Sequence, residues 1–259
     1  MPRFAANLSL LFTEVDFIDR FAAAARAGFR AVECQFPYAE TADRIAEQLR
    51  QHDLQMVLHN LPAGDWAAGE RGIACHPDRI AEFRRGVAQA IDYATTLGCS
   101  QLNCLAGIAP AGVPEDVLRE TLIANLRFAA SELKAAGQRL LVEPINTFDI
   151  PGFYVSRTEQ ALALIDAVGA DNLYLQYDVY HAQRMEGDLG NTLVRCLPRI
   201  GHIQIATPGR HEPGTGEINY PWLFRHLDAI GYPGWVGCEY KPATTTEAGL
   251  GWLAASQGR

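Results

Sequence analysis

Four polar side chains stand at the ends of four consecutive apolar segments of this sequence. Glu143 follows the run 140–142, and Asp178, Gln204 and Glu239 end the next three runs in the same way. A carboxylate at the end of a buried strand is costly unless something compensates its charge. We therefore expect the three carboxylates and the amide to converge on one bound cation.

The ligand types predict a hard divalent ion. Carboxylate and amide oxygens, with no thiolate among them, suit Mg²⁺ or Mn²⁺ better than Zn²⁺. Three carboxylates around one such ion leave excess negative charge, so one of them could be loosely coordinated and free to move a proton. Taken singly, each residue could equally be a polar group solvated by loops. Their recurrence at four strand ends favours the metal site.

Four further residues are candidates for binding a substrate beside the cation. His181 lies three residues after Asp178, about one helical turn further on, which would bring its imidazole next to the ion. Arg210 has a planar guanidinium that matches a carboxylate. Lys241 and His59 stand near the ends of other predicted strands, and a solvated loop lysine is the plainer interpretation of Lys241.

The elements that must position these residues alternate regularly. We predict strands at 4–8, 31–36, 55–58, 101–105, 140–143, 172–178, 200–204 and 234–239. We predict helices at 17–27, 41–52, 77–97, 114–136, 158–168, 220–230 and 247–255. This rhythm predicts an α/β protein, a single (β/α)8 TIM barrel over residues 1–259, whose active site lies at the carboxyl ends of the strands. The alternative, an open doubly wound sheet, normally has a glycine-rich turn after its first strand, and residues 7–11 contain no glycine.

Two predicted loops are longer and richer in glycine than plain connectors. One covers 59–72 after the third strand and contains Trp66, and the other covers 208–217 after the seventh. Each carries an arginine, so we interpret them as lids over the barrel mouth, although mobile surface loops are the alternative.

The composition excludes several classes of protein. A chain of 259 residues with 48% hydrophobic and 20% charged residues is typical of globular proteins. The net charge of −8 argues against a nucleic-acid partner. We find no apolar run that could span a bilayer, no signal-peptide pattern and no metal-type pairing among six cysteines. We therefore expect a cytoplasmic protein without a membrane partner, and the sequence leaves open whether it forms a homo-oligomer.

The predicted site suits proton transfer between neighbouring carbon atoms. A divalent ion can hold a carbonyl and the adjacent hydroxyl together and stabilise the enediolate that forms when a proton leaves carbon. Glu143 and Glu239, from strands three apart in the ring, could flank that plane as proton donor and acceptor. This chemistry is aldose–ketose isomerisation, and epimerisation at one carbon would use the same groups.

Over residues 7–252, the sequence resembles the hydroxypyruvate isomerase family of the xylose-isomerase-like barrels. The order of the strand-end residues is similar to that of the superfamily. Six longer motifs carry the resemblance to the family: 59–66 (HNLPAGDW), 143–146 (EPIN), 149–153 (DIPGF), 176–178 (QYD), 212–220 (EPGTGEINY) and 237–242 (GCEYKP).

The resemblance implies a reaction, a substrate and roles for two residues. It implies interconversion of hydroxypyruvate, a small anionic hydroxy-oxo acid, with 2-hydroxy-3-oxopropanoate (tartronate semialdehyde) in glyoxylate and allantoin metabolism. The catalytic glutamates of the family match Glu143 and Glu239. Gln204 stands where many epimerases of the superfamily have histidine, which weakens an epimerase assignment. The 2-oxotetronate isomerases are a sister family with the same two glutamates, so a four-carbon substrate is the alternative.

Two other functional classes agree less well with the sequence. A metal-dependent DNA-repair nuclease on this barrel would need a histidine-rich zinc cluster and a basic groove. A sugar-acid-binding protein without catalysis would keep Arg210 but would not need two carboxylates flanking one plane.

Overall fold

Eight parallel strands close into a barrel in chain order, with β8 paired to β1. The structure, a computed structural model, describes residues 1–256. The strands are β1 (Arg3–Asn7), β2 (Ala31–Cys34), β3 (Gln55–Asn60), β4 (Gln101–Cys104), β5 (Arg139–Val142), β6 (Leu173–Asp178), β7 (Ile200–Ile205) and β8 (Trp235–Cys238). The predicted (β/α)8 barrel is confirmed, because each predicted strand is present and the ring has no open edge.

The helices follow the strands around the outside of the barrel. They are α1 (Asp19–Arg26), α2 (Ala42–Gln51), α3 (Ile80–Leu97), α4 (Glu115–Ala135), α5 (Thr158–Val168), α6 (Val179–Met185), α7 (Leu189–Cys196), α8 (Tyr220–Ala229) and α9 (Gly251–Ser256). Local sequence sets their ends: Thr41 caps α2 by accepting a hydrogen bond from the Arg44 backbone, and α3 stops at Gly98, which has a left-handed backbone. None of the described helices combines the length and the hydropathy needed to cross a membrane.

The connection between β6 and β7 contains two short helices, α6 and α7, for which the sequence analysis gave no bounds. The carboxylate of Asp178 begins α6 by accepting a hydrogen bond from the Tyr180 backbone at 2.8 Å. A residue predicted to hold a cation therefore also starts a helix. The helix in turn carries His181 back over the barrel mouth, as the one-turn spacing predicted.

Polar side chains fill the interior of the barrel beneath its mouth. Glu33 in β2 is fully buried, and its carboxylate accepts hydrogen bonds from His202 Nε2 at 2.6 Å, Gln204 Nε2 at 2.7 Å and Asn7 Nδ2 at 2.9 Å. His202 pairs in register with Gln176, one layer below Asp178 and Gln204. His202 is therefore a hydrogen-bonded core histidine.

The Glu33 carboxylate also explains one glycine of β8. A Cβ atom added to Gly237 would overlap both carboxylate oxygens of Glu33. Glu33 cannot retreat freely, because three hydrogen bonds hold it. Gly237 therefore has no side chain because the Glu33 carboxylate occupies the space that a Cβ atom would need.

We expect Gly237→Ala to lower the free energy of unfolding by about 1–3 kcal/mol, the usual cost of overpacking a core. Gly251→Ala is the matched control, since an added Cβ there meets nothing within 4 Å. Urea unfolding of both variants at pH 7 is the measurement. Equal stability of the two variants would contradict this account of Gly237.

Candidate active site

Every strand of the barrel carries a polar residue within one residue of its carboxyl end. In chain order they are Asn7, Gln35, Asn60, Asn103, Glu143, Asp178, Gln204 and Glu239. Four of them line a cavity of about 560 Å³ at this end of the barrel, namely Gln35, Asn60, Glu143 and Glu239. The sequence analysis recognised only the last four strand ends. The signal was weaker at the first four, because Asn7, Gln35 and Asn103 are followed by apolar residues and do not close an apolar run.

Three buried groups could share a metal ion. One ligand atom each from Glu143, Asp178 and His181 lies within 4.8 Å of the others. His181 Nε2 is 3.5 Å from Asp178 Oδ2 and 3.9 Å from Glu143 Oε1. The two carboxylates are hard donors that fit a divalent cation, whereas an imidazole can coordinate only through a nitrogen without a proton.

Arg210 inserts its guanidinium among the same carboxylates. Its Nη1 donates to Asp178 Oδ2 at 2.8 Å, and its Nη2 donates to Glu239 Oε2 at 2.5 Å. The guanidinium lies over the ring of Tyr180, 4.6 Å from the centroid. The sequence analysis expected Arg210 to face a substrate, whereas here it compensates two strand-end charges.

The protein environment shifts the pKa of both glutamates upwards. Burial, together with the charges of Glu239 and Asp178, raises the pKa of Glu143 well above its usual value. Burial raises the pKa of Glu239 to about 7, and Arg210 opposes that rise. Amide donors partly stabilise the charged forms: Asn103 donates to Glu143 at 2.8 Å, and Gln35 donates to Glu239 at 3.1 Å. The raised pKa values favour the protonated form of both groups, and Glu239 can hold or release a proton near neutral pH.

His181 is held in one tautomer by Asn146. The Asn146 side-chain oxygen accepts from the backbones of Phe148 at 3.1 Å and Asp149 at 2.9 Å, so its Nδ2 must face His181 Nδ1, which lies at 2.7 Å. Burial lowers the pKa of His181 to about 4, against the opposing charge of Asp178, so the ring is neutral. Its proton then resides on Nε2, which makes that atom a hydrogen-bond donor rather than a metal ligand.

The remaining predicted site residues have different surroundings. Gln204 accepts from Gln176 Nε2 at 2.6 Å and donates to Glu33, so both ends of its amide are engaged inside the barrel. Lys241 lines the cavity, is exposed and has no ion-pair partner among residues 1–256.

The structure places His59 away from the cavity. It is fully buried within β3, which continues to Asn60, two residues beyond the predicted strand end. Asn60 lines the cavity in its place. The contact of His59 with substrate stays a prediction, and it would require the buried ring to become accessible from the cavity.

Removing the Arg210 charge should make cation binding tighter while weakening the metal-free fold. In Arg210→Met the buried carboxylates lose their partner, which should cost about 3–5 kcal/mol of stability. The same loss frees oxygens for a cation, so Mn²⁺ should bind about tenfold more tightly, a difference of roughly 1.4 kcal/mol. Titration calorimetry at pH 8 measures the affinity, and thermal unfolding with and without Mn²⁺ measures the stability.

Arg184→Met is the matched control. Arg184 also lines the cavity, but its carboxylate partner is Asp149, at 2.9 Å, and not a member of the cluster. Its Mn²⁺ affinity should stay near that of the wild type. Weaker Mn²⁺ binding by Arg210→Met than by the wild type would refute competition between the guanidinium and the cation.

His59 should destabilise the fold in acid. Burial lowers its pKa from the ordinary value of 6.5 to about 4. Below pH 6.5 the unfolded chain takes up a proton that the folded chain does not. Stability should therefore fall by up to about 1.4 kcal/mol per pH unit until about pH 4. His59→Met should flatten this loss, because methionine has no group that takes up a proton. The hydrogen bond from Tyr38 to the Asn60 carbonyl, at 2.6 Å, does not involve the His59 side chain and should remain. Urea unfolding between pH 4.5 and 7 should show the smaller slope, and parallel curves for the two proteins would disprove it.

The fold and the site can now be compared with known proteins. A family model described as "Xylose isomerase-like TIM barrel" matches residues 21–256. A solved structure described as AP endonuclease, family 2, from Brucella melitensis superposes with a TM-score of 0.96 at 49% identity, over 98% of this chain and 99% of that one. These matches define the class of barrel.

Two relatives narrow the class further. The chain is 58% identical to hydroxypyruvate isomerase of Escherichia coli (strain K12) over 254 residues, 98% of each chain. It is 49% identical to 2-oxo-tetronate isomerase of Cupriavidus necator over 260 residues, which covers 100% of each. The chain belongs to the hydroxypyruvate isomerase family within the xylose isomerase-like TIM barrel superfamily.

Proposed function

We propose that the protein interconverts hydroxypyruvate and 2-hydroxy-3-oxopropanoate, and that Glu143 and Glu239 are the proton donor and acceptor for the substrate carbons. One observation carries the proposal: the two buried glutamates end a continuous series of polar contacts across the barrel mouth. From Glu239 it runs through Arg210 at 2.5 Å, Asp178 at 2.8 Å and His181 at 3.5 Å, and His181 lies 3.9 Å from Glu143. The identity to the E. coli hydroxypyruvate isomerase supports the same reaction.

Each side chain has a defined task in this proposal. One glutamate removes a proton from C3 of hydroxypyruvate, and the other delivers a proton to C2. The proton of the C3 hydroxyl passes to the C2 oxygen in the same conversion, so that the carbonyl moves from C2 to C3. His181 donates a hydrogen bond from Nε2–H to the substrate oxygen that gains negative charge, and keeps its proton.

A divalent cation, Mg²⁺ or Mn²⁺, would be held by Glu143, Asp178 and Glu239, with Gln204 as the fourth predicted ligand. When bound, it polarises the substrate carbonyl and stabilises the charge that develops on the oxygens. Gln204 would have to release at least part of its present contact with Gln176 to serve as a ligand. The carboxylate oxygens are the hard donors that either ion prefers.

A four-carbon substrate is the second candidate, and the cavity itself favours considering it. Its volume of about 560 Å³ is that of a pocket for molecules larger than a three-carbon acid. The relative from C. necator is a 2-oxo-tetronate isomerase. Measuring kcat/KM for hydroxypyruvate and 2-oxotetronate side by side decides between the two, and the better substrate names the activity.

A nuclease role is less well supported, although the B. melitensis structure is described as an AP endonuclease. Only one histidine belongs to the buried cluster, and the chain has a net charge of −8. A nucleic-acid backbone would be repelled by such a charge.

Replacing either glutamate by glutamine should remove most activity without unfolding the protein. We expect Glu143→Gln and Glu239→Gln each to lower kcat by about 10²–10⁴-fold, the usual contribution of a general acid or base. The double variant should lose far less than the product of the two, because the residues act as a unit. Glu132→Gln, an exposed position on α4, is the matched control.

The same assay run in heavy water tests the type of transfer. Deuterium should enter the product at carbon, since a glutamate exchanges its proton with solvent between turnovers. Full retention of the substrate hydrogen, together with normal activity of both glutamine variants, would rule out the proposed chemistry.

A further inference from the structure

We propose that Arg71, from the loop after β3, binds the substrate carboxylate, a role that the sequence analysis gave to Arg210. The proposal rests on the proposed function, because it takes a small oxo acid as the substrate. Arg71 lines the same cavity as Glu143 and Glu239. It therefore reaches the space in which the reaction would occur.

The charges around the cavity leave Arg71 free for an anion. Arg210 already neutralises Asp178 and Glu239, and Arg184 is paired with Asp149 at 2.9 Å. Arg71 has no carboxylate partner among residues 1–256. The positive charge of Arg71 is therefore available to pair with an anionic ligand that enters the cavity.

The guanidinium of Arg71 is oriented in advance. Its Nη1 donates to the carbonyls of Trp66 at 3.0 Å and Glu70 at 2.7 Å, and the group lies 4.2 Å above the Trp66 ring. Nε and Nη2 have no partner within the described chain, and together they form the edge that binds both oxygens of a carboxylate. The Trp66 ring itself packs against Phe36 at 5.0 Å, which fixes the platform.

Hydrogen bonds and an ion pair fix the loop that carries Arg71. Glu70 accepts from the Asp65 backbone at 2.5 Å and pairs with Arg79 at 2.6 Å. The Gly72 backbone donates to the Ala63 carbonyl at 2.9 Å. Such a loop holds the guanidinium in place at little further entropic cost when a ligand binds.

Lys241 is the other cation of the cavity without a carboxylate partner. It is exposed, and neither a ring nor a backbone carbonyl holds its ammonium group in the described structure. A mobile point charge in water contributes less to binding and orientation than a fixed, half-buried fork. The comparison favours Arg71.

Selectivity for the carboxylate is the quantity that tests the proposal. Dihydroxyacetone is the neutral counterpart of hydroxypyruvate, with a hydroxymethyl group in place of the carboxylate. Arg71→Met should lower kcat/KM for hydroxypyruvate by about 30-fold or more, mainly through a higher KM. The kcat/KM for dihydroxyacetone should stay within about twofold of the wild-type value. Arg71→Lys should recover only part of the loss, because lysine lacks the fork. Arg85→Met, exposed on α3, is the control.

A binding measurement separates this proposal from the proposed function. Calorimetry on the Mn²⁺-loaded protein should show that Arg71→Met weakens pyruvate binding by about tenfold or more, roughly 1.4 kcal/mol, without weakening hydroxyacetone. An inactive wild type that still shows this difference would overturn the isomerase proposal alone. If Arg71→Met weakened the binding of pyruvate and of hydroxyacetone equally, Arg71 would have a structural role. If Lys241→Met or Arg210→Met lost the preference for pyruvate and Arg71→Met kept it, the carboxylate site would belong to that other residue. Either result overturns the Arg71 proposal.

Discussion

The burial of several carboxylates in one barrel mouth is the constraint on which the rest of the structure depends. Glu33, Glu143, Asp178 and Glu239 are each 5% exposed or less. Charges removed from water must be paired or hydrogen-bonded, or they take up protons. Here the compensation differs between carboxylates: Glu33 and Glu239 each accept hydrogen bonds from three side chains, whereas Glu143 accepts from Asn103. Burial still raises the pKa of Glu143 and of Glu239, the two glutamates that line the cavity.

The two long loops supply positive charge to this mouth in different ways. The loop after β7 bends at Arg210, where φ is +64°, and sends its guanidinium in among Asp178 and Glu239. The loop after β3 holds Arg71 on Trp66 and presents it to the cavity instead. Arg210 neutralises the carboxylates of the cluster, and in our proposal Arg71 binds an anion. The proposed role of Arg71 would let a negatively charged protein accept an anionic substrate.

The sequence predicted the architecture well because buried parallel strands and amphipathic helices have different periods. It also predicted that Glu143, Asp178 and His181 would meet, since consecutive strand ends and one helical turn bring them together. It could not predict the partner of Arg210, because a loop conformation decides whether a guanidinium turns towards carboxylates or towards a ligand. The predicted end of β3 was wrong, because the strand runs two residues further than its apolar residues indicate and buries His59. Glu33 was overlooked, although a single charge within the run 31–34 marked it.

A crystal structure grown with Mn²⁺ tests the central claim most directly, since the claim is that the buried carboxylates form a cation site. We predict an anomalous peak within about 2.0–2.6 Å of oxygens from Glu143, Asp178 and Glu239. The Arg210 guanidinium should have left its position between Asp178 and Glu239. A structure at saturating Mn²⁺ with no peak at these oxygens, and with Arg210 still bridging the two carboxylates, would contradict it.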